Sequence, residues 1–190
     1  MAVGDEPLRL NTYPVPQDAM PVVVGDHAAR VAAAVEWLSG LCGDYAPLRR
    51  QFIVGYFRAI AGQLDARRDD LVERLKPYDG LYAPDDFLWA ALMPLPRGWV
   101  PVGDRLLPAD MVFWDGTQPI AIELAVRPTE RETALRAAGA CVHRLEPVAL
   151  AEMQFGTFMP ELCRRFWEGR RLPSSPFRRA IPLGVVAECT

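Results

Sequence analysis

The chain predicts an α/β fold, and three features of the sequence carry that expectation. The first third repeats apolar residues at helical spacing, and the middle holds Val/Ile-rich segments folded about an Asp-Gly turn. Beyond the turn, helical and strand-like runs alternate. From about residue 84 the order reads helix, strand, strand, strand, helix, strand, helix, which is an α/β core on a mixed sheet behind an N-terminal helical subdomain.

Taken in order, residues 1–25 contain Pro7, Pro14, Pro16 and Pro21 without sustained periodicity and read as an extended or flexible arm. The helical subdomain is assigned to residues 26–78. Asp26 is placed to cap a helix over Ala28 to Leu41, where Val31, Val35 and Leu38 recur at helical steps and Gly40 and Gly43 end the run. Pro47 opens a second helix through about Leu64, with Phe52, Tyr56, Ile60 and Leu64 four residues apart. A third helix spans Asp65 to Lys76. Arg49-Arg50 and Arg67-Arg68 read most simply as helix-surface charges.

Pro77 to Pro84 marks a soft boundary, and the α/β core is assigned to residues 84–170, with a tail at 171–190. Asp85 to Leu92 reads as a short helix capped by its own acids and stopped by Pro94 and Pro96. Gly98 to Val102 reads as a strand, Gly103-Asp104 as a turn, and a β-hairpin follows. Pro128-Thr129 with Glu130 and Glu132 starts a helix that runs to Ala138, with Gly139 as its C-cap. Cys141 to Leu145 is a strand, Val148 to Trp167 a long amphipathic helix, and Ile181 to Ala187 an apolar segment suited to an edge strand.

The hairpin carries the chemistry. Asp115-Gly116 tolerates the positive φ of a tight turn, and a four-residue loop pairs Trp114 with Pro119, Phe113 with Ile120, Val112 with Ala121, Met111 with Ile122 and Asp110 with Glu123. Alternation then puts Met111, Phe113, Ile120, Ile122 and Leu124 on a core face, and Asp110 and Glu123 together on the other. Opposed carboxylates repel. A divalent metal, a proton or a neighbouring arginine would relieve the repulsion, and a two-residue loop would shift the register and remove it.

Composition narrows the alternatives. Of 190 residues, 51% are hydrophobic, the formal net charge is −3, and no window reaches the ~18 apolar residues of a membrane span. The N-terminus lacks a basic region followed by an apolar run, so the sequence predicts a cytoplasmic protein without a membrane partner. Cys42, Cys141, Cys163 and Cys189 show no zinc or dithiol spacing and read as free thiols. With only His27 and His143, and only Ser39, Ser174 and Ser175, a Ser/His/Asp hydrolase is poorly supported. Lys76 is the only lysine, so 20 of the 21 basic residues are arginine.

Pro108-Ala-Asp110, then Glu123-Leu-Ala125, Arg131-Glu-Thr-Ala-Leu-Arg-Ala-Ala-Gly139 and Val142-His-Arg-Leu145 resemble the PD-(D/E)xK nuclease superfamily, in its very-short-patch repair-like form. The resemblance covers roughly residues 84 to 167 and rests more on element order than on an exact motif. It implies a restriction-endonuclease-like mixed β-sheet core flanked by helices. It also implies Mg²⁺ held by Asp110, Glu123, the Leu124 carbonyl and an upstream acid, Asp86 or Asp85. Hard oxygen ligands suit Mg²⁺, which lowers the pKa of a bound water and neutralises phosphate charge. The family's lysine position is Ala125, leaving Arg127 as the candidate electrostatic stabiliser beside the catalytic pair Asp110 and Glu123.

A second candidate surface is basic. Arg164, Arg165, Arg170, Arg171, Arg178 and Arg179 stand against the single acid Glu168, with Phe166, Trp167 and Phe177 interleaved, a composition suited to a phosphate backbone and stacked bases. A solvated helix end with a basic tail would look the same. Three readings follow: a Mg²⁺-dependent DNA endonuclease, a catalytically degenerate member that binds nucleic acid or a partner protein, and an assembly or scaffold protein whose acid pair is a polar edge.

Overall fold

The computed structural model describes residues 26–43, 46–78, 83–90, 93–102, 104–114 and 118–151. Three helices lead: α1 (His27–Gly40), α2 (Pro47–Ala66) and α3 (Arg68–Leu75). The Asp26 carboxylate accepts from Ala29 N at 2.8 Å, which satisfies one of the orphan amides of the first turn. Pro47 occupies the first turn of α2, where its missing N–H costs nothing.

Two strands, β4 (Met111–Trp114) and β5 (Pro119–Leu124), form the hairpin, and its register is the expected one from Met111 opposite Ile122 to Trp114 opposite Pro119. Helix α4 (Glu130–Ala137) crosses over to β6 (Cys141–Leu145), which pairs in parallel with β5. Thr129 Oγ1 accepts from Glu132 N at 3.0 Å to cap α4, and Gly139 leaves the helix at φ +82, a conformation glycine adopts without strain. The hairpin, β6 and the short β1 (Leu95–Pro96) make a four-stranded mixed sheet in the order β1-β4-β5-β6. The fold class is therefore α/β. Helix α5 (Pro147–Ala151) begins the segment expected to be helical through Trp167; residues 152–167 lie outside the described residues, as do the 1–25 arm and the 171–190 tail.

Several expectations are corrected. The short helix expected over Asp85 to Leu92 is a 3-10 helix at Pro84–Ala90, one residue earlier at its start, with Asp86 accepting from Ala83 N at 2.8 Å. Pro96, expected only to stop a helix, pairs with Met111 in β1, an edge position where its missing N–H is tolerated. The strand at Trp99–Val102 (β2) has a partner that the sequence does not announce, β3 (Arg105–Pro108), and the two form a separate ribbon. Both faces of the sheet are buried, whereas alternation alone predicts acid rather than core on one of them. Met111, Phe113, Ile120 and Ile122 pack with the aromatic side chains of α2, while Val112, Ala121 and Val142 pack with Leu135 of α4 and Val100 of β2. The first cluster also joins α1, α2 and α3 to the sheet, so one continuous core crosses the soft boundary at residues 77–84.

Candidate functional site: an acid pair held by two arginines

Asp110 ends the turn before β4 and Glu123 lies on β5, so the hairpin register sets them side by side. Asp110 is almost fully buried and Glu123 entirely so. Leu124 N donates to Asp110 Oδ2 at 3.0 Å, which ties the aspartate to the opposing strand.

Two arginines complete the cluster. Arg49 of α2 donates from Nε and Nη2 to Asp110 Oδ1 at 3.0 and 2.8 Å. Arg131, in the first turn of α4, donates from Nε to Glu123 Oε2 at 2.7 Å, while its Nη2 contacts both that oxygen and Asp110 Oδ2, the latter at 3.3 Å. One guanidinium thus spans both carboxylates, and the second reaches Asp110 from the helical layer on the other side of the sheet. Charge-assisted, forked contacts of this kind are the strong ones. Arginine is therefore the compensation that the opposed acids find here.

Glu123 keeps an unusual oxygen. Its Oε1 is buried with no hydrogen-bond partner among the described residues. Burial raises the carboxyl pKa above its usual value, the Arg131 guanidinium pulls it back, and the Asp110 charge pushes it up again, with burial winning. A proton on the carboxyl would remove the charge from the oxygen that has no partner.

Around the pair, other arginines hold the end of α1. Arg49 Nη1 donates to the Cys42 carbonyl at 3.3 Å, and Arg50 Nη2 to the Gly43 carbonyl at 3.2 Å. Both satisfy carbonyls at the negative end of the helix dipole. Gly43 turns the chain at φ +81, and a Cβ there would lie 3.7 Å from Arg97 Nη1, so a third guanidinium sits beside the same turn. Arg97 N also donates to the Asp110 carbonyl at 3.0 Å.

The remaining expected residues fall elsewhere. Asp86 accepts from Arg30 Nη2 at 3.3 Å and from Ala83 N, and neither bond reaches the acid pair. Asp85 is held at the surface by Arg68 at 2.7 Å. Strand β5 stops at Leu124, and Arg127, the candidate electrostatic stabiliser, lies exposed in the bend beyond it, without an ion pair among the described residues. Lys76 pairs with Glu73 at the surface. Arg164, Arg165, Arg170, Arg171, Arg178 and Arg179 lie outside the described residues. Cys42 is buried, and burial pushes its thiol up to about 11; Cys141 lies 3.3 Å from His143 Nε2. Cys163 and Cys189 also lie outside the described residues.

Arg49 and Arg131 are the residues that sequence reasoning missed. A signal was present for each, since Arg49 lies three residues before the core residue Phe52 and Arg131 four before the core residue Leu135. Those spacings put both guanidiniums on the inward side of their helices.

The donor set does not fit Mg²⁺ in this arrangement. Both oxygens of Asp110 and one of Glu123 are taken by cationic or amide donors, so of the four carboxylate oxygens only Glu123 Oε1 is left to join the Leu124 carbonyl. Among the described residues no group of three or more His, Cys, Asp or Glu side chains is placed to hold a metal, and no helix is long and apolar enough to cross a membrane. Comparison with family models, with curated proteins and with solved structures finds no match to this chain in any of the three.

Proposed function

We propose that the protein is a restriction-endonuclease-like domain in which the acid pair no longer serves catalysis, and that it works as a binding module. The observation that carries this reading is Arg131 bridging Asp110 and Glu123. A guanidinium supplies the positive charge a divalent ion would supply, but it cannot bring a water to the pKa of a hydroxide donor. It also stays protonated, so it shuttles no proton. At Ala125 there is a methyl group where the resembled family has its ammonium, and none of the remaining cations is a lysine near the pair.

Incubating supercoiled plasmid with the full chain and Mg²⁺ or Mn²⁺ tests this. The expected result is no nicking above the metal-free control, with Asp110→Ala and Glu123→Ala indistinguishable from wild type. Metal-dependent cleavage lost in both variants would overturn the proposal and establish the alternative, a Mg²⁺-dependent DNA endonuclease. The observation favouring that alternative is Glu123 Oε1, a buried oxygen without a hydrogen-bond partner among the described residues and of the kind that suits a hard cation.

A further inference from the structure

From the arginines gathered at the Gly43 turn and the acid pair, we infer that this face of the molecule binds the phosphodiester backbone of a nucleic acid. The inference rests on the binding-module function proposed for the domain and names the partner of that same site. Four guanidiniums, Arg49, Arg50, Arg97 and Arg131, meet at Cys42–Gly43 and Asp110, against two carboxylates. With both acids ionised, these side chains still carry a surplus of two positive charges among the described residues, which do not include Asp44.

The surplus is accessible. Arg50 and Arg97 are exposed, Arg49 and Arg131 are each about a third open on their side chains, and Arg97 and Arg50 enter no ion pair among the described residues. Arg127, exposed and likewise without an ion pair among those residues, follows β5 close to the Glu123 end. Guanidinium forks match phosphate oxygens two at a time and are weakly hydrated, so they give up water readily on contact.

A protein partner is less well matched. Interfaces between proteins have an apolar centre depleted in charge, whereas nucleic-acid interfaces are polar and strongly positive. Among the described residues the exposed large apolar side chains are Val54, Val72, Leu106, Val126 and Val148, one each on α2, α3, β3, the bend after β5 and α5, with no two from the same element. The acid pair itself has a part here. It fixes Arg49 and Arg131 so that less side-chain freedom is lost when phosphate arrives.

Fluorescence anisotropy with labelled single-stranded DNA, duplex DNA and single-stranded RNA 20-mers tests the inference on the full chain. Wild-type binding is expected to weaken steeply with salt for at least one of the three. Arg50→Glu/Arg97→Glu should then weaken it at least tenfold and reduce the salt slope by ~2, one unit for each phosphate no longer neutralised. Arg58→Glu/Arg105→Glu, the same charge change at other exposed positions, should shift affinity less than threefold. Equal losses in the two double variants, an unaffected Arg50→Glu/Arg97→Glu protein, or no binding to any of the three probes would overturn it. So would binding to poly-glutamate as tight as to the nucleic acids. Should the Glu variant melt early, Arg50→Gln/Arg97→Gln carries the test, with a smaller expected loss of about threefold. Plasmid cleavage is a separate readout, so failure of the acid-pair proposal and failure of this one are told apart. Arg170→Glu/Arg171→Glu locates any share carried by the C-terminal arginines; loss confined to that variant counts against the Gly43 face.

Discussion

The two faces of the central sheet are both buried, with a larger core toward α1 and α2 than toward α4 and with different chemistry. Toward α1 and α2 the contacts are mainly large and apolar: Phe113 meets the Phe52 ring edge-on at 6.2 Å and the Tyr56 ring at 5.3 Å, while the charged groups of that layer are the buried Arg30–Asp86 pair and Arg49. Toward α4 the core is built from Ala109, Val112, Ala121 and Val142, and at its margin stand Asp110, Glu123 and Glu132, each held by arginine. Glu132 accepts from Arg136 at 3.1 Å and lies 3.5 Å from Arg144. The aromatic face carries the stability that area burial provides. The small-residue face leaves room for buried ions, which contribute little net stability even when paired. The contrast shows where a test of function should start: the charged face is the one whose groups area burial alone does not explain.

The largest effect should come from the aromatic face. Phe113→Ala removes a fully buried ring shared by two aromatic neighbours and is expected to cost ~3–5 kcal/mol, read as a lower urea midpoint. A loss under ~1 kcal/mol would mean that this face does not hold the fold together.

Next comes the charged face. Arg131→Ala leaves Glu123 buried beside Asp110 without its partner, for which ~3–5 kcal/mol is typical of a fully buried pair; with the Arg131 side chain 34% exposed, ~2–3 kcal/mol is the expectation. Adding Glu123→Gln should recover part of that loss, because no charge then remains buried. If the double variant is no better than the single, the ion pair is not what stabilises the margin.

A comparable but steric test lies between the faces. At Gly98 a Cβ would come within 2.6 Å of Val112 Cγ2 and 3.2 Å of the Leu95 carbonyl, where β1 and β2 cross close to β4. Gly98→Ala is expected to cost ~1–3 kcal/mol by overpacking, read as a lower urea midpoint, and adding Val112→Ala should leave most of that cost in place, because Val112 Cβ itself would still lie 2.7 Å away.

The pH dependence sharpens the comparison further. Burial raises the folded-state pKa of Glu123 above its usual 4.5, so the native protein holds a proton that the unfolded chain has released. Its contribution is therefore fully present below about pH 4.5 and declines as pH rises from there through the folded value. Urea midpoints of wild type and Glu123→Gln, measured from about pH 4 to 7, should diverge in the direction of a relatively more stable variant at the higher pH. Parallel curves would show that Arg131 offsets the burial completely. The smallest effect belongs to the surface: Arg68→Ala, which breaks exposed pairs with Asp65 and Asp85, should change stability by no more than ~0.5 kcal/mol.

Much of the architecture was legible because it rests on local rules. Helical spacing, the caps at Asp26 and Thr129 and the Asp-Gly turn each act within a few residues, and together they placed α1, α2, α4, β6 and the hairpin in register. Strand β2 was legible as well, but its partner β3 and the short β1 were not. Their residues include Pro96 and Pro108, and such segments become strands only because a partner supplies the pairing.

The same division runs through the site. By itself the sequence determined the chain reversal and the side-chain alternation, which put Asp110 opposite Glu123 if the loop takes four residues, and the structure has the four strand pairs of that register. Only the tertiary structure decided what answers their charge. Arg49 is 61 residues from Asp110 along the chain and Arg131 is 21, and the choice among metal, proton and guanidinium depends on which groups the packed layers bring within hydrogen-bond distance. Electrostatic pairing acts through space at a few ångströms, and a one-dimensional pattern records such proximity only where neighbours in space are also neighbours in sequence.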